Sequence, residues 1–197
     1  MRLILASGNA KKRAEILSIL EGLDVEVVAM TELGLEGPEE DGQTFEANAL
    51  KKARAIVEAT GEPVLADDSG LEVDALAGAP GVRSARYAGE DATDADNNAK
   101  LLAALDGVPA ERRTARFVCA AALVTAAGDE YVAHGTMEGR IVETARGRGG
   151  FGYDPYFVAA GEQRTNAELA PADKEAISHR GAAFRALRPR VEELREG

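Results

Sequence analysis

The chain has 197 residues, of which 45% are hydrophobic and 5% aromatic, enough apolar material for one medium-sized domain with its own core. Its formal net charge of −11 argues against binding nucleic acid along the backbone, which calls for a basic face. No run of about 18 apolar residues is available to span a membrane, and one cysteine with two histidines excludes an internal disulfide and a soft-ligand zinc or iron–sulfur site.

In chain order, Arg2–Ala6 reads as a strand and Ala10–Glu21 as an amphipathic helix with Ile16, Leu17 and Leu20 on its apolar face. The opening "MRLILASGNAKK" is too brief for a signal peptide, and the cysteine usage fits a reducing cytoplasm. Val25–Ala29 is a second strand, and the acidic Leu35–Gln43, broken by Pro and Gly, is a loop. The pattern then predicts a helix from Thr44, its N-cap, to Thr60, stopped by Gly61, and a strand over Val64–Asp67. Ala77–Asp91 is irregular, and Asp94–Leu105 is helical with Thr93 or Asp94 as cap. Ala115–Val142 reads as antiparallel strands turning at Ala127-Gly128-Asp129. The segment from about Pro171 is helical with a break near Gly181 and Pro189. Helices alternating with strands and then a hairpin imply an α/β domain with a mixed central sheet flanked by helices, one compact unit over 1–197.

Four stretches carry chemistry. "SGNAKK", Ser7–Lys12, joins the first strand to the first helix, where free N–H groups and the helix dipole suit an anion. The same residues also read as an ordinary helix cap followed by surface lysines. "ADDSG", Ala66–Gly70, delivers two adjacent carboxylates, Asp67 and Asp68. It reads either as an Asx-type turn ending a strand or as an acid pair at a strand's C-terminal end, where α/β sheets place ligands. A divalent cation would relieve the mutual repulsion of the pair; oxygen ligands point to Mg²⁺, with Glu39-Glu40-Asp41 able to complete its shell.

"GRGGFG", Gly147–Gly152, matches the dinucleotide-binding string but is followed by strand-like "YFV" rather than a helix, so that reading is rejected. Its glycines instead let the backbone approach a flat or charged ligand, with Phe151 available for stacking. "ADKEAISHRG" places Lys174, Ser178 and His179 on the same or adjacent faces of a helical turn or two. His134 and Cys119 lie in strand patterns and read as structural.

Together these residues resemble the inosine triphosphate pyrophosphatase family over nearly the whole chain. The likeness rests on S-x-N-x-x-K at Ser7, Asn9 and Lys12, "DGQTFEANALKKA" at Asp41–Ala53 and "ADDSGLEVDALAGAPGVRSARYAG" at Ala66–Gly89. "GGFGYDP" at Gly149–Pro155 and "KEAISHRG" at Lys174–Gly181 complete it. The resemblance implies Mg²⁺-dependent hydrolysis of deaminated purine nucleoside triphosphates (ITP, dITP, XTP) to monophosphate and pyrophosphate. It also implies a cytoplasmic homodimer with two lobes and the active site in the cleft between them.

By the same carry-over, Ser7, Gly8, Asn9, Ala10, Lys11, Lys12 and Lys52 hold the phosphates, and Lys11 and Lys51 compete with their neighbours for that role. Asp68 is the general base with Ser69 beside it. Glu39, ahead of Glu40, joins Asp68 on the metal. Phe151, Gly152, Tyr153, Asp154, Lys174, His179 and Arg180 surround the base and sugar, with Arg180 donating to the C6 oxygen. Two rivals stand beside this reading: a Maf-like pyrophosphatase, which lacks the "SHRG" and "GGFGYDP" strings, and a non-catalytic nucleotide-binding regulator, for which paired acids beside phosphates have no use.

Overall fold

A computed structural model describes residues 1–196. Six strands, β1 (Arg2–Leu5), β2 (Glu26–Ala29), β3 (Val64–Val73), β4 (Thr114–Val124), β5 (Glu130–Ile141) and β6 (Phe157–Ala159), form one mixed sheet in the order β2-β1-β3-β4-β5-β6. β1 runs parallel to β2 and β3, and β5 is antiparallel to β6. Five helices accompany it: α1 (Ala10–Ile19), α2 (Phe45–Thr60), α3 (Asp94–Ala104), α4 (Pro171–Ile177) and α5 (His179–Glu196).

The chain divides into two compact units. The first comprises Met1–Asp68, Cys119–Gly135 and the segment from His179 onward. Leu3 and Leu5 of β1, Leu65 of β3, and Cys119, Ala121 and Leu123 of β4 pack there against Ile16 and Ile19 of α1 and Phe184, Leu187 and Val191 of α5. The intervening Ile4, Val64 and Ala66 are buried as well. With both faces covered these strands read as continuous apolar runs rather than alternating ones.

The second unit comprises Ser69–Val118 and Thr136–Ser178. Its core gathers Leu71 and Val73 of β3, Leu101 of α3 and Leu105 that caps it, Phe117, Met137, Ile141, Tyr153 and Phe157. The Phe117 and Phe157 rings meet at 4.7 Å and 57°, a tilted arrangement that aromatic quadrupoles favour.

Two boundaries differ from the pattern reading by more than two residues. β3 does not stop at Asp67 but continues to Val73, so "DDSG" is strand and not a turn. Leu71 and Val73 are fully buried, and Ser84 Oγ accepts the Leu71 N–H at 2.8 Å, which secures the strand beyond the acids. The C-terminal helical region breaks at Ser178, whose ψ of 147° is extended. Gly181 and Pro189 both lie inside α5. The expected hairpin turn is present, with Thr125 and Asp129 exchanging backbone and side-chain bonds around Gly128. No helix opens at the Gly147–Gly152 string; a single 3-10 turn, Asp154–Tyr156, leads into β6.

Candidate active site

The first unit assembles a compact set of charges around the acid pair of β3. Asp67 is 1% exposed. Lys12 Nζ lies 3.3 Å from its Oδ2, and Arg180 Nε donates to the same atom at 3.3 Å. Arg180 is itself buried, and its Nη1 also donates to Glu15 of α1. Burial alone would push Asp67 up, but the charges of Lys12, Arg180 and Lys52 outweigh it and hold the carboxyl well below the usual range. Asp67 is therefore a fixed anion.

Asp68, its neighbour on the opposite face, is raised: burial dominates, Glu40 adds repulsion, and Lys52, Lys12 and an Asn48 hydrogen bond offset only part of it. Two adjacent acids thus have their proton affinities driven apart, the pattern that separates a counter-ion from a group able to take up a proton.

Residues of α2 supply the frame. Its buried stripe, Phe45, Asn48, Ala49, Lys52, Ala53 and Ile56, follows helical spacing but includes two polar members. Asn48 accepts the Gly42 N–H through Oδ1 at 2.7 Å and donates to Asp68 Oδ2 through Nδ2 at 2.9 Å. One buried amide thereby ties the acidic loop to the acid. Lys52 Nζ bonds Glu40 at 2.8 Å, and the carboxylates of Asp67, Glu40 and Asp68 keep it charged against its desolvation.

These contacts distinguish the two acids of the loop. Glu40, not the exposed Glu39, reaches the Lys52–Asp68 neighbourhood. They also separate the lysine pairs: Lys12 and Lys52 turn inward, Lys11 is exposed, and Lys51 pairs with Asp41 on the surface.

In the first loop Asn9 is the N-cap of α1, and its Oδ1 takes the N–H groups of Lys11 and Lys12. The ordinary-cap reading therefore describes those two amides. Ser7 is buried and accepts from Asn9 N at 3.3 Å, whereas Gly8 and Ala10 are exposed. His179 opens α5 and is 5% exposed. Arg180, expected beside a nucleobase, places its guanidinium against Asp67 and Glu15. His134 makes an exposed contact with Glu46 at 3.2 Å, and Cys119 is buried with its thiol pushed up to about 12.

The second unit holds the other group of expected residues. Asp154 is 3% exposed and receives Lys174 Nζ at 2.7 Å, Asn166 Nδ2 at 3.2 Å and the Phe151 N–H at 2.9 Å. The Lys174 ammonium also lies 5.0 Å from the centre of the Phe151 ring. Gly150 has φ +70°, and a Cβ there would meet Asp154 Oδ2 at 2.1 Å, so this glycine admits a carboxylate of the protein itself rather than a ligand. Tyr153 turns its ring into the core and its hydroxyl to Ser84 O at 2.8 Å; only its backbone remains to face a substrate. Ser69 continues β3 after Asp68, and Ser178 separates α4 from α5, so Lys174, Ser178 and His179 do not share one helix.

Asn48, Glu15 and Asn166 were missed by the sequence reading. Asn48 alone left a signal, a polar residue on the apolar stripe of α2. Among the described residues no group of three acids, histidines or cysteines is arranged to hold a metal. A two-carboxylate set of Asp68 and Glu40 nevertheless fits Mg²⁺, which keeps waters and takes the rest of its shell from substrate phosphates.

Residues 3–190 match the Ham1 family. The chain is 56% identical to a dITP/XTP pyrophosphatase of Frankia alni, covering 98% of each chain. It is 49% identical to one of Salmonella typhimurium, covering 100% of this chain and 99% of that one. A solved HAM1 protein from Coxiella burnetii superposes with a TM-score of 0.90 at 45% identity, covering 98% of this chain and 99% of its own.

Proposed function

Because the chain belongs to the Ham1 family, we propose that it is a nucleoside triphosphate pyrophosphatase acting on deaminated purine nucleotides such as dITP, XTP and ITP. The observation that carries the reading is the divided acid pair: buried Asp67 held by Lys12 and Arg180, and beside it Asp68 held by Asn48, with a raised proton affinity. A pure binder of phosphate has no use for a second, strained carboxylate beside its lysines.

In this reading the phosphates meet Ser7 and the ammonium groups of Lys12 and Lys52, which offset the charge that builds on the leaving pyrophosphate. Asp68 orients a water toward the α phosphorus and takes its proton, and Asn48 keeps its carboxylate aimed. Asp68 and Glu40 would hold Mg²⁺, whose chemistry when bound is to neutralise and align phosphate oxygens. The base stacks on Phe151, and Lys174, the buried cation beside that ring, donates to the C6 oxygen that hypoxanthine and xanthine present and adenine lacks. The enzyme works as a cytoplasmic homodimer.

The test is pyrophosphate release from dITP, XTP, ITP, GTP, ATP and dTTP with Mg²⁺. Preference for the first three supports the reading, preference for dTTP favours the Maf-like rival, and no release favours the regulator. Hydrolysis in ¹⁸O-water should place the label in the monophosphate; label in pyrophosphate would mean attack at the β phosphorus.

A further inference from the structure

We propose that Asp94 and Asn98 of α3 are positioning residues for the base-stacking loop, holding both backbone groups of Gly152 and so setting the attitude of the Phe151 ring. The proposal rests on the assignment of that loop to the base. The Gly152 N–H donates to Asp94 Oδ2 at 2.8 Å, and Asn98 Nδ2 donates to the Gly152 carbonyl at 2.9 Å. Gly152 sits at φ +59°, a left-handed conformation that hydrogen bonds at both ends of the residue hold in place.

The helix accounts for part of each side chain, an acid in its first turn and an amide bonded back to the Asp94 carbonyl, but not for their bonds to Gly152. Thr93 and Asp96 already complete the capping box of α3, so the cap does not require the Asp94 carboxylate. Asn98 is 7% exposed, one of the buried residues of α3 with Asn97 and Leu101. A buried amide there is a cost that hydrogen bonds must offset: its two N–H groups go to Gly152 O and to Asp94 O at 2.8 Å, while its Oδ1 has no hydrogen-bond partner among the described residues.

The same helix steadies the preceding segment, with Asn97 bonding Ala88 N and Ala85 O and Lys100 bonding Tyr87 O. Tyr153 ties the far side of the loop to Ser84. With Gly152 pinned on α3 and Tyr153 on Ser84, the flanking Phe151 has its N–H taken by Asp154 and little backbone freedom left. Moving the Phe151 backbone, and with it the direction of its Cα–Cβ bond, would have to break one of these bonds.

Steady-state kinetics with dITP, together with inhibition by inorganic tripolyphosphate as a competitor without a base, test this. For Asp94→Ala and Asn98→Ala the expected result is a KM for dITP raised about tenfold each, the scale of one lost hydrogen bond to a positioned group. kcat should stay within about threefold, the tripolyphosphate Ki should not change, and preference for dITP over dATP should fall. Asp94→Asn, which keeps an oxygen acceptor for Gly152, should restore KM. An unchanged KM in both alanine variants, or a Ki that rises in step with KM, overturns the proposal.

Native-state exchange of the Gly152 amide needs no variant: protection supports the clamp, and exchange at the rate of an open loop refutes it. Wild-type protein without activity on dITP would defeat the assignment of the loop to the base, while the amide measurement would still judge the clamp.

Discussion

Replacing Asp67 by Asn removes the central anion without changing its shape. Lys12 is 17% exposed at its side chain and can recover water, whereas Arg180 is 2% exposed and cannot. Breaking a buried ion pair by removing one partner costs about 3–5 kcal/mol. Arg180 keeps Glu15, so the loss should fall at the lower end, about 3 kcal/mol. The pH dependence follows from the depressed carboxyl. With an ordinary value of 3.8 and a folded value far beneath it, the stabilisation is complete above the unfolded-state value and is lost as pH falls toward the folded one. By pH 3 the unfolded chain has taken up most of a proton that the folded protein refuses, and about 1 kcal/mol of the wild-type advantage is gone. Urea unfolding of both proteins at pH 7, 5, 4 and 3 measures this. Equal midpoints at pH 7, or a gap that stays constant down to pH 3, would refute the assignment of Asp67 as a fixed counter-ion.

Asp68→Asn should lower kcat by more than about a hundredfold while leaving the urea midpoint equal or higher. Its folded value is raised, so the ionised form is penalised at neutral pH and a neutral isostere removes that penalty; a marked loss of stability would contradict this. Asn48→Ala strips a partner from both Gly42 N–H and Asp68, and should destabilise the protein by about 1–3 kcal/mol and raise the Mg²⁺ concentration for half-maximal pyrophosphate release. A Mg²⁺ titration indistinguishable from wild type would separate Asn48 from the site. Cys119, buried and with its thiol pushed up to about 12, should resist thiol reagents at pH 8 until the protein is unfolded in urea; rapid native labelling would show the core around it to be open.

The alternation of strands and helices was legible because each element has its own period and punctuation: Thr44 and Gly61 bracket α2, and Gly128 turns the β4–β5 connection. The course of β3 was not. Asp-Asp-Ser-Gly has turn chemistry in isolation, and only the burial of Leu71 and Val73 and the anchoring by Ser84 extend the strand through it. Within the site, the motifs carried the lysines and acids, but not their division of labour. Lys12 and Lys51 look alike in sequence, and what sorts inward from outward is which face of α1 or α2 each occupies.

Arg180 shows the limit most clearly. Its partners, Glu15 and Asp67, are far away in the chain and only the fold brings them together. Glu40 was chosen over Glu39 in the same way, by a contact with Lys52 that no local pattern encodes. Asp94 and Asn98 carry no motif and are visible only through the Gly152 backbone they hold.

The division between the two acids can be observed without substrate or metal. In protein labelled at the aspartate ¹³Cγ, a pH titration reports each carboxyl separately. The Asp67 signal should stay that of a carboxylate down to the lowest pH at which the fold survives, and the Asp68 signal should titrate above 3.8, the ordinary value for the group. The opposite order, or two signals that titrate together near 3.8, would contradict the assignment of one acid to structure and the other to proton transfer.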